Sequence, residues 1–571
     1  MGTNRKYIVA FGAVFATTSL LGQGHEIEVT GSREVEKAYR TGLTPRVVDT
    51  SISTPMVAFP LLELKFEVES EVSVITPASI STKERLSQLY SSYIKAGVGT
   101  ELMPLGEYYF DSKRSRKYIY GAHAKHLSSF GNLKGYAPAQ FDRTGVGLYG
   151  GINEKRYSLR GDVHYNNQGL HYYGYPTDAD TIDSQTIRQR YNDWGFGTSF
   201  FSHRKDSAKL NYSVGLNYNN FVSLRPKVEL ERDWRARENF FSLSSRAKIK
   251  KGKETYAVDF NVNYNGYKYG VPDSSLTALD TGLVSNNTLV NLHPTITTHL
   301  QDDRFKAKIG LDLVFNSLDK VNAHIYPDLE IKYSMLNDML IPYAGLRGGM
   351  KQTSFKSLTG ENEFILSNVQ LKNENTSIDF FGGVKGTLSK QMSFNVGVSF
   401  SNIKNKALFV TDTIYSIGNQ FQVVYDTMNV AFIEGSIAYQ LNEKLKIDAL
   451  GRLNSYTLNN NSYAWNLPQL QVVLRGAYNL FDKFLLNLDL DLEHGRKALV
   501  FGPGEGVTLE NNQYIETLNF IVDANFGVEY RYSKRVSAFI QFNNFASQRY
   551  QRWYNAPVQS FQAMGGVTFR F

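Results

Sequence analysis

Histidines and scattered carboxylates are the first residues to ask for chemistry in this 571-residue chain. His123 and His126 lie three apart in one strand-like stretch, and His164 and His171 lie in another. In an extended chain, residues three apart point to opposite faces, so His123 and His126 cannot serve one metal, which needs several converging ligands. Asp178, Asp180 and Asp183 have the spacing that opens a calcium loop, but the glycine and closing glutamate do not follow, and solvated loop carboxylates are expected. No serine stands in a nucleophile-elbow setting. Tyr172, Tyr173 and Tyr175 are able to stack on a sugar ring, yet aromatics at a strand's end more often form an interfacial girdle, which is the expectation here. These residue types point to no catalytic centre, no cofactor and no metal site.

The elements that would position such groups are strands. In 486–493, leucines alternate with Asn487, Asp489, Asp491 and Glu493, so one face is apolar and the other carries amide and carboxylate. The same period of two runs through Leu210, Tyr212, Val214, Leu216 and Tyr218, through Val258, Phe260, Val262 and Tyr264, and through Phe305, Ala307, Ile309, Leu311 and Leu313. Short polar turns interrupt it at 111–116, 154–155, 203–207, 250–254, 301–304, 336–338, 389–391, 442–444, 482–483 and 533–535. Between them lie longer connections at 176–190, 223–237, 270–287, 354–375, 404–422 and 497–513, rich in Asn, Asp, Gly and Ser. This asymmetry predicts an all-β fold: a transmembrane antiparallel β-barrel of about 22 strands with short periplasmic turns and long extracellular loops. An even count places both termini in the periplasm, and the first pair is read as 93–99 and 105–110.

Composition agrees with one large β-domain. The chain has 36 Tyr, 36 Phe and only 15 Pro, and no linker breaks its middle. Its formal charge of +8 is spread along the chain rather than gathered on one face, which argues against nucleic acid as a partner. A polar average does not oppose a membrane, because barrel strands need apolar residues only at alternate positions. The absence of cysteine excludes a disulfide framework and a lipid anchor on cysteine.

The ends of the chain set its compartment. Arg5 and Lys6 precede an apolar stretch from Tyr7 to Leu21, followed by Gly22, Gln23 and Gly24, which predicts a signal peptide at 1–23. Residues 24–92 are read as a periplasmic or lumen-lining segment, with a strand-like run at 61–68, and residues 93–571 as the barrel. At the other end, Phe561, Val567, Phe569 and Phe571 share one face of a last strand. That strand, with Val567, Phe569 and the terminal Phe571 as its signal, resembles the C-terminal insertion signal of outer-membrane barrels. The resemblance implies the outer membrane of a Gram-negative bacterium as the location, with its lipids and the barrel assembly machinery as partners.

The run Phe542-Asn543-Asn544-Phe545-Ala546-Ser547-Gln548-Arg549-Tyr550, followed by Trp553, Tyr554, Pro557 and Phe571, is similar to the last hairpin of TonB-dependent receptors. The stretches 89–99, 118–129 and 161–175 look like a plug-less receptor-type barrel found in Bacteroidetes. A true TonB-dependent receptor carries a plug domain ahead of its barrel, and the stretch between Gly24 and Tyr93 is too short to hold a complete one. Residues 26–30 faintly resemble a TonB box, the extended peptide that adds to a partner's sheet.

By strand parity the lumen should be lined by Arg160, Asp162, His164, Arg246, Lys248, Lys308, Asp312, Arg452, Arg475, Asp489 and Asp491. A lumen of this width with mixed charges must be sealed, by the N-terminal segment, by a plug, lipoprotein or periplasmic partner, or by folded-in loops. The resemblance implies transport of a nutrient or solute across the outer membrane rather than an enzyme. The alternative is a non-transporting scaffold or assembly component of an outer-membrane protein complex.

Overall fold

The computed structural model describes residues 89–571, apart from 176–183, 205–208, 225–234, 271–282, 302–303, 319, 414–415, 443 and 502–512. The expected signal peptide, the 24–92 segment before residue 89, the 26–30 peptide, the 61–68 run and Asp178, Asp180 and Asp183 lie outside the described residues.

The strands follow in chain order: β1 (Ser92–Gly99), β2 (Met103–Asp111), β3 (Tyr118–Ser129), β4 (Phe141–Asn153), β5 (Tyr157–His171), β6 (Arg188–Ser202), β7 (Asn211–Ser223) and β8 (Arg235–Lys251). Next come β9 (Glu254–Gly270), β10 (Leu283–Leu300), β11 (Phe305–Asn316), β12 (Asn322–Tyr333) and β13 (Ile341–Lys351), then a short helix, α1 (Phe355–Glu361). The chain continues through β14 (Glu374–Ser389), β15 (Met392–Asp412), β16 (Gln420–Leu441), β17 (Leu445–Leu458), β18 (Leu470–Leu480), β19 (Phe484–His494), β20 (Lys497–Phe501) and β21 (Gln513–Thr517). It ends with β22 (Ile521–Arg531), β23 (Val536–Asn543), β24 (Gln551–Trp553), β25 (Ala556–Pro557) and β26 (Gln562–Arg570).

All but β20, β21, β24 and β25 join one 22-stranded sheet. Its last strand pairs antiparallel with its first, from Tyr93 opposite Arg570 to Gly99 opposite Met564, and the sheet closes into a barrel. Closure satisfies the backbone groups of every strand within the sheet, the condition for crossing a bilayer with strands. At the seam, the N–H groups of Ser91 and Ser92 both donate to the Phe571 carbonyl at 3.0 Å. No described helix is long and apolar enough to cross a membrane.

Alternation sorts the side chains. Val163 of β5 stands between Leu148 of β4 and Phe196 of β6, and all three are exposed on the outer surface. Leu488 of β19 lies in the same kind of row, beside Phe526 of β22. One rim carries short turns; Gly252 occupies the left-handed region there (φ 60°), and so do Asn442 and Asp482 (both φ 57°). The opposite rim carries the longer connections. The first pair is two strands, because Glu101 and Leu102 turn the chain sharply with φ of 61° and 47°.

Two of the expected long loops contain strand, and the first is mostly strand. Between 404 and 422, β15 continues to Asp412 and β16 starts at Gln420, so Phe409 still pairs with Val423. The extension is covered on both faces: Leu408 packs with Trp465, and Phe409 meets Trp553 edge-on with ring centres 5.2 Å apart. Between 497 and 513, β20 and β21 form the arms of a separate hairpin.

Candidate functional site

The long-loop rim is not open. Residues 352–373, between β13 and β14, leave the wall and run across to strands on the far side of the ring. Their first anchor is α1. Ser354 and Ser357 cap its start reciprocally, each backbone N–H reaching the other's hydroxyl at 3.0 Å. The spacing Phe355, Leu358, Thr359 puts three buried residues on one face. Phe355 enters a cage of Tyr191 from β6, Phe221 from β7 and Tyr267 from β9, with ring centres 6.4, 5.7 and 5.5 Å away.

Polar contacts fix the orientation. The Glu238 carboxylate of β8 accepts the Phe355 N–H, and its other oxygen accepts the Lys356 N–H at 3.4 Å. Asn265 of β9 donates to the same carboxylate at 3.3 Å. A buried carboxylate at these amides satisfies helix donors that would otherwise lack partners. Lys356 reaches both oxygens of Asp193 on β6 at 2.8 Å.

Beyond α1 the strap continues across the opening. Glu363 takes Arg143 of β4 at 3.2 Å and Gln168 of β5, while its carbonyl accepts the Tyr191 hydroxyl at 3.1 Å. Ile365 forms a parallel bridge with Phe421 of β16. That bridge is backbone to backbone, with Phe421 N–H to Phe364 O and Leu366 N–H to Phe421 O both at 3.0 Å. Ser367 hydrogen-bonds Ser223 of β7 at 3.1 Å between hydroxyls, and its carbonyl accepts the Tyr267 hydroxyl. Asn373 meets Asn287 of β10 at 2.7 Å.

Other connections meet the strap. Phe364 packs against Tyr172 and Tyr173, with ring centres 6.4 and 5.6 Å away. Tyr173 donates to Pro557 O at 3.0 Å, and Asn419, from the β15–β16 connection nearly opposite in the ring, donates to Tyr172 O at 2.7 Å. Gly174 is needed there, because a Cβ would stand 2.9 Å from Asn555 O. On the other flank, fully buried Arg496 donates to the carbonyls of Arg552, Asn519 and Gln551 at 2.9, 3.1 and 2.9 Å. Burial pulls its guanidinium down to about 10. One buried apolar cluster therefore joins residues of the wall, the strap and the last long connection.

The girdle expectation for Tyr172, Tyr173 and Tyr175 is overturned. They lie just past the end of β5, where parity no longer fixes direction, and all three are buried in this cluster. The strap itself was missed at 354–375, although the apolar run Phe364, Ile365, Leu366, Val369 and Leu371 is a signal that a solvated loop would not carry.

The structure brings the predicted charged residues together in pairs rather than in one site. Arg160, Asp162 and His164 lie on the face of β5 opposite Leu159, Val163 and Tyr165, and His164 approaches Asp193 at 3.6 Å. Arg246 and Asp259 pair at 2.7 Å, with Lys248 next on the same face. His293 links Asp259 to Asp328 at 3.8 and 2.8 Å, Lys308 also holds Asp328, and Asp312 accepts from Asn291. Farther round, Arg452 pairs with Glu434 at 2.9 Å and Arg475 with Asp489 at 3.6 Å, while Asp491 shares the Asp489 face. His123 stacks near Tyr109, and His126 bonds Thr144 at 2.8 Å. Val567, Phe569 and Phe571 are exposed, with Thr568 and Arg570 buried on the other face.

No family model matches the chain, and no curated protein sequence is similar to it. Solved structures share its fold. The ferric-catecholate import receptor Fiu from E. coli K12 aligns with a TM-score of 0.60 at 10% identity, covering 84% of this chain and 82% of the receptor. The ferripyoverdine receptor of the Pseudomonas aeruginosa outer membrane gives 0.61 at 11%, covering 86% and 72%. The siderophore receptor PirA from Acinetobacter baumannii gives 0.63 at 10%, covering 86% and 81%. With its sheet closed and its apolar rows turned outward, the chain is a 22-stranded antiparallel β-barrel that shares the fold of these outer-membrane and siderophore receptors.

Proposed function

We propose that this barrel moves a solute across the outer membrane, and that residues 352–373 are its outer gate. The observation that carries the reading is the strap itself, tied by Glu238, Asp193 and Phe421 to distant parts of the ring. The strap is fastened by polar contacts, aromatic packing and one backbone bridge rather than by pairing within the barrel sheet, so it can leave the opening without breaking the wall. Arg160, Asp162, His164, Arg246, Lys248, Lys308, Asp312, Arg452, Arg475, Asp489 and Asp491 then line the path beneath it. Five of them, His164, Arg246, Lys308, Arg452 and Arg475, face a carboxylate partner on the same wall, which lowers the net field there. The import and siderophore receptors that share the fold favour transport as the class. The segment before residue 89, or a periplasmic partner, is left to control the turn-rim side.

The Ser223 and Ser367 hydroxyls, 3.1 Å apart, offer a test in a chain without cysteine. Ser223→Cys with Ser367→Cys places two thiols side by side, to be joined by oxidation. Oxidation should hold the strap shut and stop solute entry and bilayer current, and a reductant should restore both. Transport unchanged by the closed disulfide would refute the gate.

A further inference from the structure

We propose that the inner wall directly beneath α1 is a binding site for a neutral polyhydroxylated chain, an oligosaccharide. Phe240 is its stacking platform, and Asn217, Asn219, Ser242, Asn261 and Asn263 are its hydrogen-bonding groups. The proposal rests on the transport reading and adds the substrate class.

Register defines the site. Phe240 follows Glu238 on the same face of β8, one step toward the turn rim, while Phe241 beside it is exposed on the outer face. Phe240 stands between Asn219 of β7 and Asn265 of β9. The next row down is Asn217, Ser242 and Asn263, and the one below it contains Ser244 and Asn261. Phe240 is only half-buried. An aromatic ring turned toward a polar, enclosed space forgoes the stabilisation it would gain against lipid or in a packed core.

The groups in register with the ring and in the two rows below it are neutral, and Glu238 above it is already taken up by the α1 amides. Asn217, Asn219 and Asn261 make no side-chain hydrogen bond to any described residue, whereas Ser242 and Asn263 bond each other at 2.7 Å. Each amide offers donors and an acceptor, the complement of a hydroxyl. Opposite them, Gly195 and Gly197 of β6 keep the wall low. A Cβ at Gly195 would stand 2.5 Å from Asn219 Oδ1, and one at Gly197 would stand 2.7 Å from Asn217 Oδ1. The amides, with His164 and Asp162 reaching in from β5, lie over these glycines, and the glycine pair forms a low shelf beside the strand that carries the amides.

Charge argues for the same ligand. Two cations flanking the site are already held, Lys356 by Asp193 and Arg246 by Asp259 through contacts of 2.7 and 3.1 Å, and Arg160 of β5 stands two strands from Asn217. An anionic ligand lying over Gly197 would meet the Asp162 carboxylate beside Asn217, while a sugar ring finds an apolar face bordered by amides.

The test is calorimetric titration of the purified full chain in detergent with maltohexaose, cellohexaose and, as the acidic counterpart, hexagalacturonate. At least one neutral hexasaccharide should bind saturably and hexagalacturonate should bind more weakly. Phe240→Ala should raise Kd about tenfold or more, the scale of a lost stacking contact. Asn217→Ala removes an amide with no other bond and should weaken binding while heat-modifiable migration shows a folded barrel. Absence of neutral binding, preference for hexagalacturonate, or affinity unchanged in both variants would each overturn the site. The two readings fail separately. A disulfide-gated barrel that binds no neutral hexasaccharide keeps the gate and loses the shelf, and binding without any uptake does the reverse.

Discussion

Lys356 on the strap and Asp193 on the wall meet through both carboxylate oxygens at 2.8 Å, although the strap leaves the wall after β13 and Asp193 stands on β6, far round the ring. Asp193 is the more buried partner, and Asn166 donates to it as well at 3.3 Å. The pair is therefore worth more than an ordinary surface contact. Lys356→Ala and Asp193→Asn should each increase barrel conductance in a planar bilayer. A double-mutant cycle on the opening equilibrium should give a coupling of about 1 kcal/mol. Strict additivity would mean that the pair does not hold the strap.

Glu238 acts on the same helix from β8. Glu238→Ala leaves the Phe355 and Lys356 amides without their carboxylate acceptor, a loss of about 1–3 kcal/mol for buried donors. Hydrogen exchange across 352–362 should accelerate accordingly, and Glu238→Gln, which keeps an acceptor oxygen, should recover part of the protection. Equal exchange in all three proteins would remove Glu238 from the closure.

Orientation has a direct readout. Ile417, exposed on the long-connection rim, and Phe481 and Tyr532, exposed in turns of the opposite rim, are suitable cysteine positions. An impermeant maleimide on intact cells should label Ile417→Cys alone. Labelling of the turn positions instead would invert the barrel.

The wall has two faces, and substitutions should tell them apart. Leu490→Arg puts a charge on the outer row and should cost about 2–4 kcal/mol if it lies near the midplane. Asp489→Arg instead faces Arg475, 3.6 Å away, and should alter current selectivity with a smaller loss of inserted protein. Similar damage from both would argue against lipid on the leucine face.

Removal of Phe571 takes away the carbonyl that receives the Ser91 and Ser92 amides and the N–H that returns to Ser92 O at 3.1 Å. Seam closure and recognition of the last strand should both weaken. The membrane-inserted fraction should fall and degradation rise, and normal assembly would place the signal elsewhere.

The barrel was legible because a period of two is a local property. Leu488 against Asp489, or Val163 against Asp162, declares two faces whatever the rest of the chain does. The closure was not legible, since ring closure sets Phe364 beside Tyr173 and Asn419 beside Tyr172, and no local pattern encodes those distances. The stretch 404–422 failed for a third reason. A register shift between Ile403 and Lys406, with Asn405 at φ 56°, breaks the alternation where a loop was expected, and pairing then resumes for the rest of β15. The inward Phe240 was hidden by its neighbour, because Phe240-Phe241 reads as an apolar pair until register assigns each ring a side.

Phe364, Leu366 and Phe421 hold the strap to β16 by main-chain bonds, which make no demand on side-chain identity. Yet of the strap's residues only Gly360 and Gln370 are exposed, so nearly every other side chain in it is committed to the closure. Substitutions should be tolerated at those two positions and resisted at Phe355 and Glu238: the clasp leaves the strap little surface of its own to change.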